Sequence, residues 1–127
     1  MLDKDGPMGR SLCILLADGH ADSLSALARL LRLSGHEVYT AETVAEAEAL
    51  AAEHKCDLLI GEIGLPDGEG AALMRRLKAR YGLKGIALSG HVSPSHAKEA
   101  IDSGFGRFLA KPVSYDELLA AIGTVAG

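Results

Sequence analysis

Tryptophan is absent and aromatic residues make up only 4% of the chain, which argues against a crevice built to stack a flat organic ligand. Cysteine occurs twice, at Cys13 and Cys56, with no metal-ligand spacing around either. Cys13 falls inside an apolar run and Cys56 just before another, so both read as small buried hydrophobes. No apolar run approaches the ~18 residues of a membrane span, and no secretory leader pattern is present. A soluble, cytoplasmic chain without membrane contact is the expectation. Basic charge is scarce: a net charge of −4 argues against nucleic-acid binding through phosphate neutralisation. Arg75, Arg76, Lys78, Arg80 and Lys84 do cluster, but on one predicted helix and the loop after it, as a solvated face would. Also missing are a glycine-rich phosphate loop, a dinucleotide fingerprint and a Ser-His-Asp order. His20, His36, His54, His91 and His96 are scattered without zinc spacing, and His20, beside Asp18, reads as an exposed loop residue. No independent enzyme activity is expected.

What is present suits one domain. The chain has 127 residues and 48% hydrophobic content, enough for a single well-buried core. Residues 1–10 (MLDKDGPMGR) are polar and carry Gly-Pro, so they read as a flexible lead-in or linker, with the domain at 11–127. Five strand-helix units follow. Strands are predicted at 12–17, 37–40, 57–61, 85–89 and 107–110, the third nearly continuous in apolar residues, as a strand buried on both faces should be. The first helix, near 22–33, carries Leu24, Leu27, Leu30 and Leu31 at helical spacing, and Gly35 closes it as a left-handed cap. Thr43-Val-Ala-Glu46 and Ser114-Tyr-Asp-Glu117 are capping boxes. Leu65-Pro66-Asp67-Gly68 turns the chain, with Asp67 read as the N-cap of the third helix, which runs to about Tyr81 and Gly82. Ser93-Pro94 opens the fourth helix and Gly104 closes it. Alternating strands and helices imply parallel pairing, right-handed crossovers and helices on both faces of an α/β sheet.

Four polar residues stand at the ends of four of these runs: Asp18, Glu62, Ser89 and Lys111. In an open parallel sheet they converge outside the carboxyl ends of the strands, where ligand sites lie. The arrangement resembles the phosphoacceptor pocket of a response-regulator receiver (CheY-like) domain, over about residues 10–125. Ile14-Leu-Leu-Ala-Asp18 is similar to the family's first strand, which normally ends in two consecutive acids. Asp57-Leu-Leu-Ile-Gly-Glu62 and the Pro66-Asp67-Gly68 loop are similar to the acceptor strand and its loop, with Glu62 at the phosphoacceptor position. Ile86-Ala-Leu-Ser89-Gly90 matches the switch segment, Phe108 the aromatic switch position, and Lys111-Pro112 the phosphoryl-contacting lysine and its proline. The resemblance implies a flavodoxin-like (βα)5 fold with strand order 2-1-3-4-5, a cis Lys111-Pro112 bond, and a role in two-component or phosphorelay signal transduction. It also implies a histidine kinase or an output domain as partner, and a homodimer surface on helix 4, strand 5 and helix 5.

Two positions depart from the family. Gly19 stands where the second acid belongs, and Glu62 replaces the acceptor aspartate. Mg²⁺ demands near-octahedral oxygen ligation; with Asp18 and Glu62 as its only protein carboxylates, it is expected to bind weakly or not at all, and no other cofactor is expected. Glu62 carries its carboxylate one methylene, about 1.5 Å, further into the pocket, and a misplacement of roughly 1 Å can cost ~100-fold in rate. It is long enough to ion-pair with Lys111 and to accept from Ser89. The leading expectation is an atypical receiver whose phosphorylation is impaired or mimicked by Glu62. The alternatives are a receiver using Glu62 as a slow acceptor and a small-molecule-binding flavodoxin-like domain.

Overall fold

The computed structural model describes residues 11–90 and 93–126; the expected lead-in at 1–10 and His91 lie outside them. Five parallel strands form the main sheet: β1 (Cys13–Ala17), β2 (Glu37–Ala41), β3 (Leu58–Glu62), β4 (Lys84–Ser89) and β5 (Arg107–Ala110). Their order is β2-β1-β3-β4-β5, the order expected from the resemblance. Five helices alternate with them: α1 (Ala21–Leu33), α2 (Val44–Glu53), α3 (Gly70–Tyr81), α4 (Pro94–Asp102) and α5 (Tyr115–Ala126). No helix of the described residues is long and apolar enough to cross a membrane.

Side chains alternate across the sheet and sort into two layers. On one face Ile14, Leu16, Leu58, Ile60, Ile86, Leu88 and Leu109 pack against α1 and α5. On the other, Leu15, Ala17, Leu59 and Ala87 pack with residues of α2, α3 and α4. β1 and β3 are buried on both faces, so their sequences read as unbroken apolar runs rather than as alternation. The buried stripe of α1 is Leu24, Ala28 and Leu31, while Leu30 is 41% exposed. The expected face also includes Leu27 and Leu30, but Leu27 is only partly buried and the small Ala28 takes a buried place instead.

The helix ends follow the predicted chemistry with two differences. Thr43 Oγ1 accepts from the Glu46 amide, but the Glu46 carboxylate returns its bond to the Glu42 amide, one residue earlier than a reciprocal box requires. Asp67 does not cap α3. Its carboxylate accepts from the amides of Val44 and Ala45 at 2.7 and 3.1 Å, the first turn of α2. The segment carrying it is a small antiparallel hairpin, Gly64–Leu65 paired with Gly68–Glu69, which sequence reading took for a simple turn. Ser114 and Ser93 cap α5 and α4 as expected, with Glu117 N donating to Ser114 Oγ and His96 N to Ser93 Oγ. The basic cluster from Arg75 to Lys84 lies exposed, with Arg76 paired to Glu48 at 2.7 Å.

Candidate functional site

The parallel register brings the four predicted polar residues to one end of the sheet. Glu62 is the last residue of β3 and pairs with Leu88, one residue before Ser89 closes β4. Asp18 and Lys111 follow directly after β1 and β5. Backbone bonds fix each strand end. The Asp18 amide donates to Ala41 O at 3.0 Å, Ile63 N to Leu88 O at 3.2 Å, and Lys111 N to Ser89 O at 2.8 Å. The Lys111-Pro112 bond is cis.

A glycine sets the acidic end of β3. A Cβ on Gly70, the first residue of α3, would collide with the Glu62 carbonyl oxygen. The Gly70 amide also donates to Ile63 O at 2.7 Å. Only a residue without a side chain allows α3 to begin this close to the strand that carries the acid.

Lys111 reaches across the strand ends to both acids. Its ammonium donates to Asp18 Oδ2 at 2.8 Å and forms an ion pair with Glu62 Oε2. The Lys111, Glu62 and Asp18 side chains are 25%, 14% and 8% exposed, so the three charges sit largely out of water. The second contact of Lys111, to Asp18, is one that sequence reading did not anticipate. The signal for it is the lysine stem itself, long enough to span from β5 to the end of β1. Asp18 Oδ1 in turn accepts from the His20 amide at 2.9 Å and lies 3.1 Å from His20 Nδ1. His20 itself is exposed, as expected.

These contacts leave a clear electrostatic mark. Burial acts to raise the Asp18 pKa, but the bonds from Lys111 and His20 outweigh it and hold the carboxyl below its ordinary value. Burial acts to lower the Lys111 pKa, yet its bonds to Asp18 and Glu62 lift it above the usual lysine value. Each partner holds the other in its charged form.

Ser89 is buried at the end of β4. Phe108, opposite Ala87 across the β4–β5 pair, is half-buried and packs on the core layer shared with α2, α3 and α4. Gly19 is half-buried, and a Cβ there would stand 3.2 Å from Pro66 Cδ, so the Pro66 ring closes over the position where the family carries its second acid. The magnesium site implied by the resemblance does not fit these residues as they stand. Gly19 brings no oxygen, and an ammonium already lies against both carboxylates. Among the described residues no group of three His, Cys, Asp or Glu side chains is placed to hold a metal ion.

Comparison with known proteins bears on the fold and the family. The family model for the response regulator receiver domain matches residues 14–123. The transcriptional regulatory protein KdpE of Mycobacterium tuberculosis (strain CDC 1551 / Oshkosh) is 35% identical over 109 residues, covering 86% of this chain and 48% of that protein. The chain thus spans about half the length of the curated relatives it matches. Among solved structures, the signal receiver domain of an HD domain-containing protein from Pseudomonas fluorescens Pf-5 superposes with a TM-score of 0.85 at 31% identity, covering 91% of this chain and 94% of that one. A response regulator protein from Burkholderia pseudomallei, solved with a phosphorylated aspartic acid, calcium ion and citrate, gives a TM-score of 0.83 at 26% identity, covering 90% of this chain and 69% of that one.

Proposed function

Because the chain belongs to the response regulator receiver family, we propose that it is a receiver domain whose pocket is closed by its own ion pairs, Glu62 standing in for a phosphorylated acceptor. A receiver domain is a signalling module of two-component systems, and that much follows from membership. The altered chemistry rests on one observation: the Lys111 ammonium is shared between Asp18 and Glu62. In the Burkholderia neighbour a phosphoryl group and a divalent ion are both present. Here one ammonium offsets one of the two negative charges from inside the chain. Phosphoryl transfer depends on in-line positioning and charge neutralisation around the acceptor, and Glu62 is already engaged by the group that would supply part of both.

The test is intact-mass measurement after incubation with acetyl phosphate and Mg²⁺. The expected result is no added phosphoryl group. A gain of one phosphoryl, lost in Glu62→Gln, would establish Glu62 as a working acceptor and overturn the proposal. Under the proposed reading the partners are a histidine kinase or an output domain or protein, with α4, β5 and α5 as the contact surface and a homodimer through the same face. Neither nucleic-acid nor membrane contact belongs to this domain.

A further inference from the structure

The two cysteines, 43 positions apart in the chain, meet at the opposite end of the sheet from the acidic pocket. Cys13 is the first residue of β1 and Cys56 lies two residues before β3, and their Sγ atoms are 3.5 Å apart with the Cys13 thiol donating to Cys56. Neither is the fully buried hydrophobe that the sequence suggested; both are half-buried. Asp57 locks the backbone around them, its amide donating to Cys13 O and its carboxylate accepting from the Cys13 amide, each at 2.8 Å. Beside them opens a cleft of about 590 Å³ lined by His54, Cys56, Asp57 and Tyr81 among others, which gives a small reagent access to Cys56.

We propose that Cys13 and Cys56 form an intramolecular disulfide when the domain meets a low-molecular-weight disulfide oxidant, stapling the start of β1 to the start of β3. The step balances as two exchanges. Cys56, reached through the cleft, attacks as its thiolate one sulfur of the oxidant and expels one thiolate. The Cys13 sulfur then attacks Cys56 Sγ and expels the second. The two protein thiols give up two electrons and two protons, and the oxidant leaves as two thiols. Closing the bond requires the sulfurs to approach from 3.5 Å to about 2.05 Å. The second thiol is already held beside the first, which favours this closing step over a second encounter with the oxidant.

The same surroundings set the rate. Burial, then the neighbouring Cys56, push the Cys13 thiol up to about 12. Burial also raises Cys56, against the lowering effect of the Cys13 bond, and the nearby carboxylates of Glu37 and Asp57 act in the same direction as burial. Thiolate is therefore scarce near neutrality, and oxidation should accelerate by about tenfold for each unit of rising pH.

The experiment uses the full reduced chain at low concentration, incubated with oxidised glutathione at pH 7, 8 and 9, then blocked with N-ethylmaleimide. The expected product is monomeric, lighter by two hydrogens and closed to the alkylating agent. Non-reducing trypsin digestion should link residues 11–29 to residues 56–75. Closing a loop of this length should raise the melting temperature by about 10 °C, reversibly with dithiothreitol. Cys13→Ser and Cys56→Ser should each lose both the linked peptide and the shift. A glutathione adduct stranded on Cys56 with Cys13 still alkylated would overturn the proposal, as would disulfide-linked dimers alone or no reaction at pH 9. A linked monomer melting below the reduced chain would also overturn it, since the bond would then form only by distorting the sheet.

Discussion

Lys111 carries more of the site than any other single side chain, because removing it leaves two largely buried carboxylates facing each other. Breaking a buried ion pair from one side costs roughly 3–5 kcal/mol. Lys111→Met keeps most of the apolar stem, so urea unfolding at neutral pH should show a loss of about 3 kcal/mol that is electrostatic in origin. The deficit should shrink in acid as the carboxylates protonate. Mg²⁺ should then stabilise the variant more than the wild type, since the place of the ammonium is vacated; equal responses would show that Lys111 does not block the ion. The pH profile follows from the two shifts. Asp18 is held below its ordinary value, so its contribution is complete above the unfolded pKa of ~3.9 and is lost as pH falls through the lower folded value. Lys111 is lifted, so its contribution is complete below the unfolded pKa of ~10.4 and is lost as pH rises through the higher folded value. Wild-type stability should show both limbs, and Lys111→Met should flatten both. Gly19→Asp supplies the family's missing acid, but the Pro66 ring 3.2 Å from the new Cβ must first yield by a few tenths of an ångström. Once it does, calorimetry should show tighter Mg²⁺ binding than in the wild type.

At the scale of elements, what local chemistry dictates was legible and what distant contacts dictate was not. The strands and helices follow from apolar runs, caps and glycine stops, and Gly35, Gly82 and Gly104 do take positive φ. Asp67 is the instructive miss. Its place in a Pro-Asp-Gly turn pointed to the next helix, yet it caps α2, more than twenty residues earlier. No sequence-local rule reports a side chain that reaches back to another element. The bonds from Val44 and Ala45 hold the Asp67 carboxyl below its ordinary value, so the clamp is present above the unfolded carboxylate pKa and weakens as pH falls through the folded one. Asp67→Ala should lower the melting temperature at pH 7 and speed hydrogen exchange at the Val44 and Ala45 amides selectively. Unchanged exchange there would mean that Thr43 caps α2 unaided. Gly70 is a second contact of this kind. Gly70→Ala should destabilise the fold by pushing the start of α3 off the Glu62 carbonyl.

Across the whole molecule, the meeting of Asp18, Glu62, Ser89 and Lys111 was legible because a parallel sheet sends all its carboxyl ends one way. Which of them touch was not, since that depends on side-chain reach and strand order together: β5 and β1 are separated by β3 and β4, yet Lys111 spans them. This shared lysine links the two halves of the sheet. On one side stands Asp18 with β1; on the other, β5 carries Lys111 and Phe108, and the Lys111 amide is bonded to the Ser89 carbonyl. A change at Glu62 therefore has a covalent and hydrogen-bonded route to the β4–β5 edge. Glu62→Gln preserves size and removes the charge that helps hold Lys111. If Glu62 mimics an occupied pocket, Lys111 should shift wholly toward Asp18, and Ser89, Gly90 and the Phe108 ring should relax with it. Amide and aromatic NMR shifts should then move at Ser89, Gly90 and Phe108, while the Cys13 end of the sheet stays unchanged. Movement confined to Glu62 and its immediate neighbours would show that the ion pair only fills the pocket, and that the domain serves as a fixed docking module.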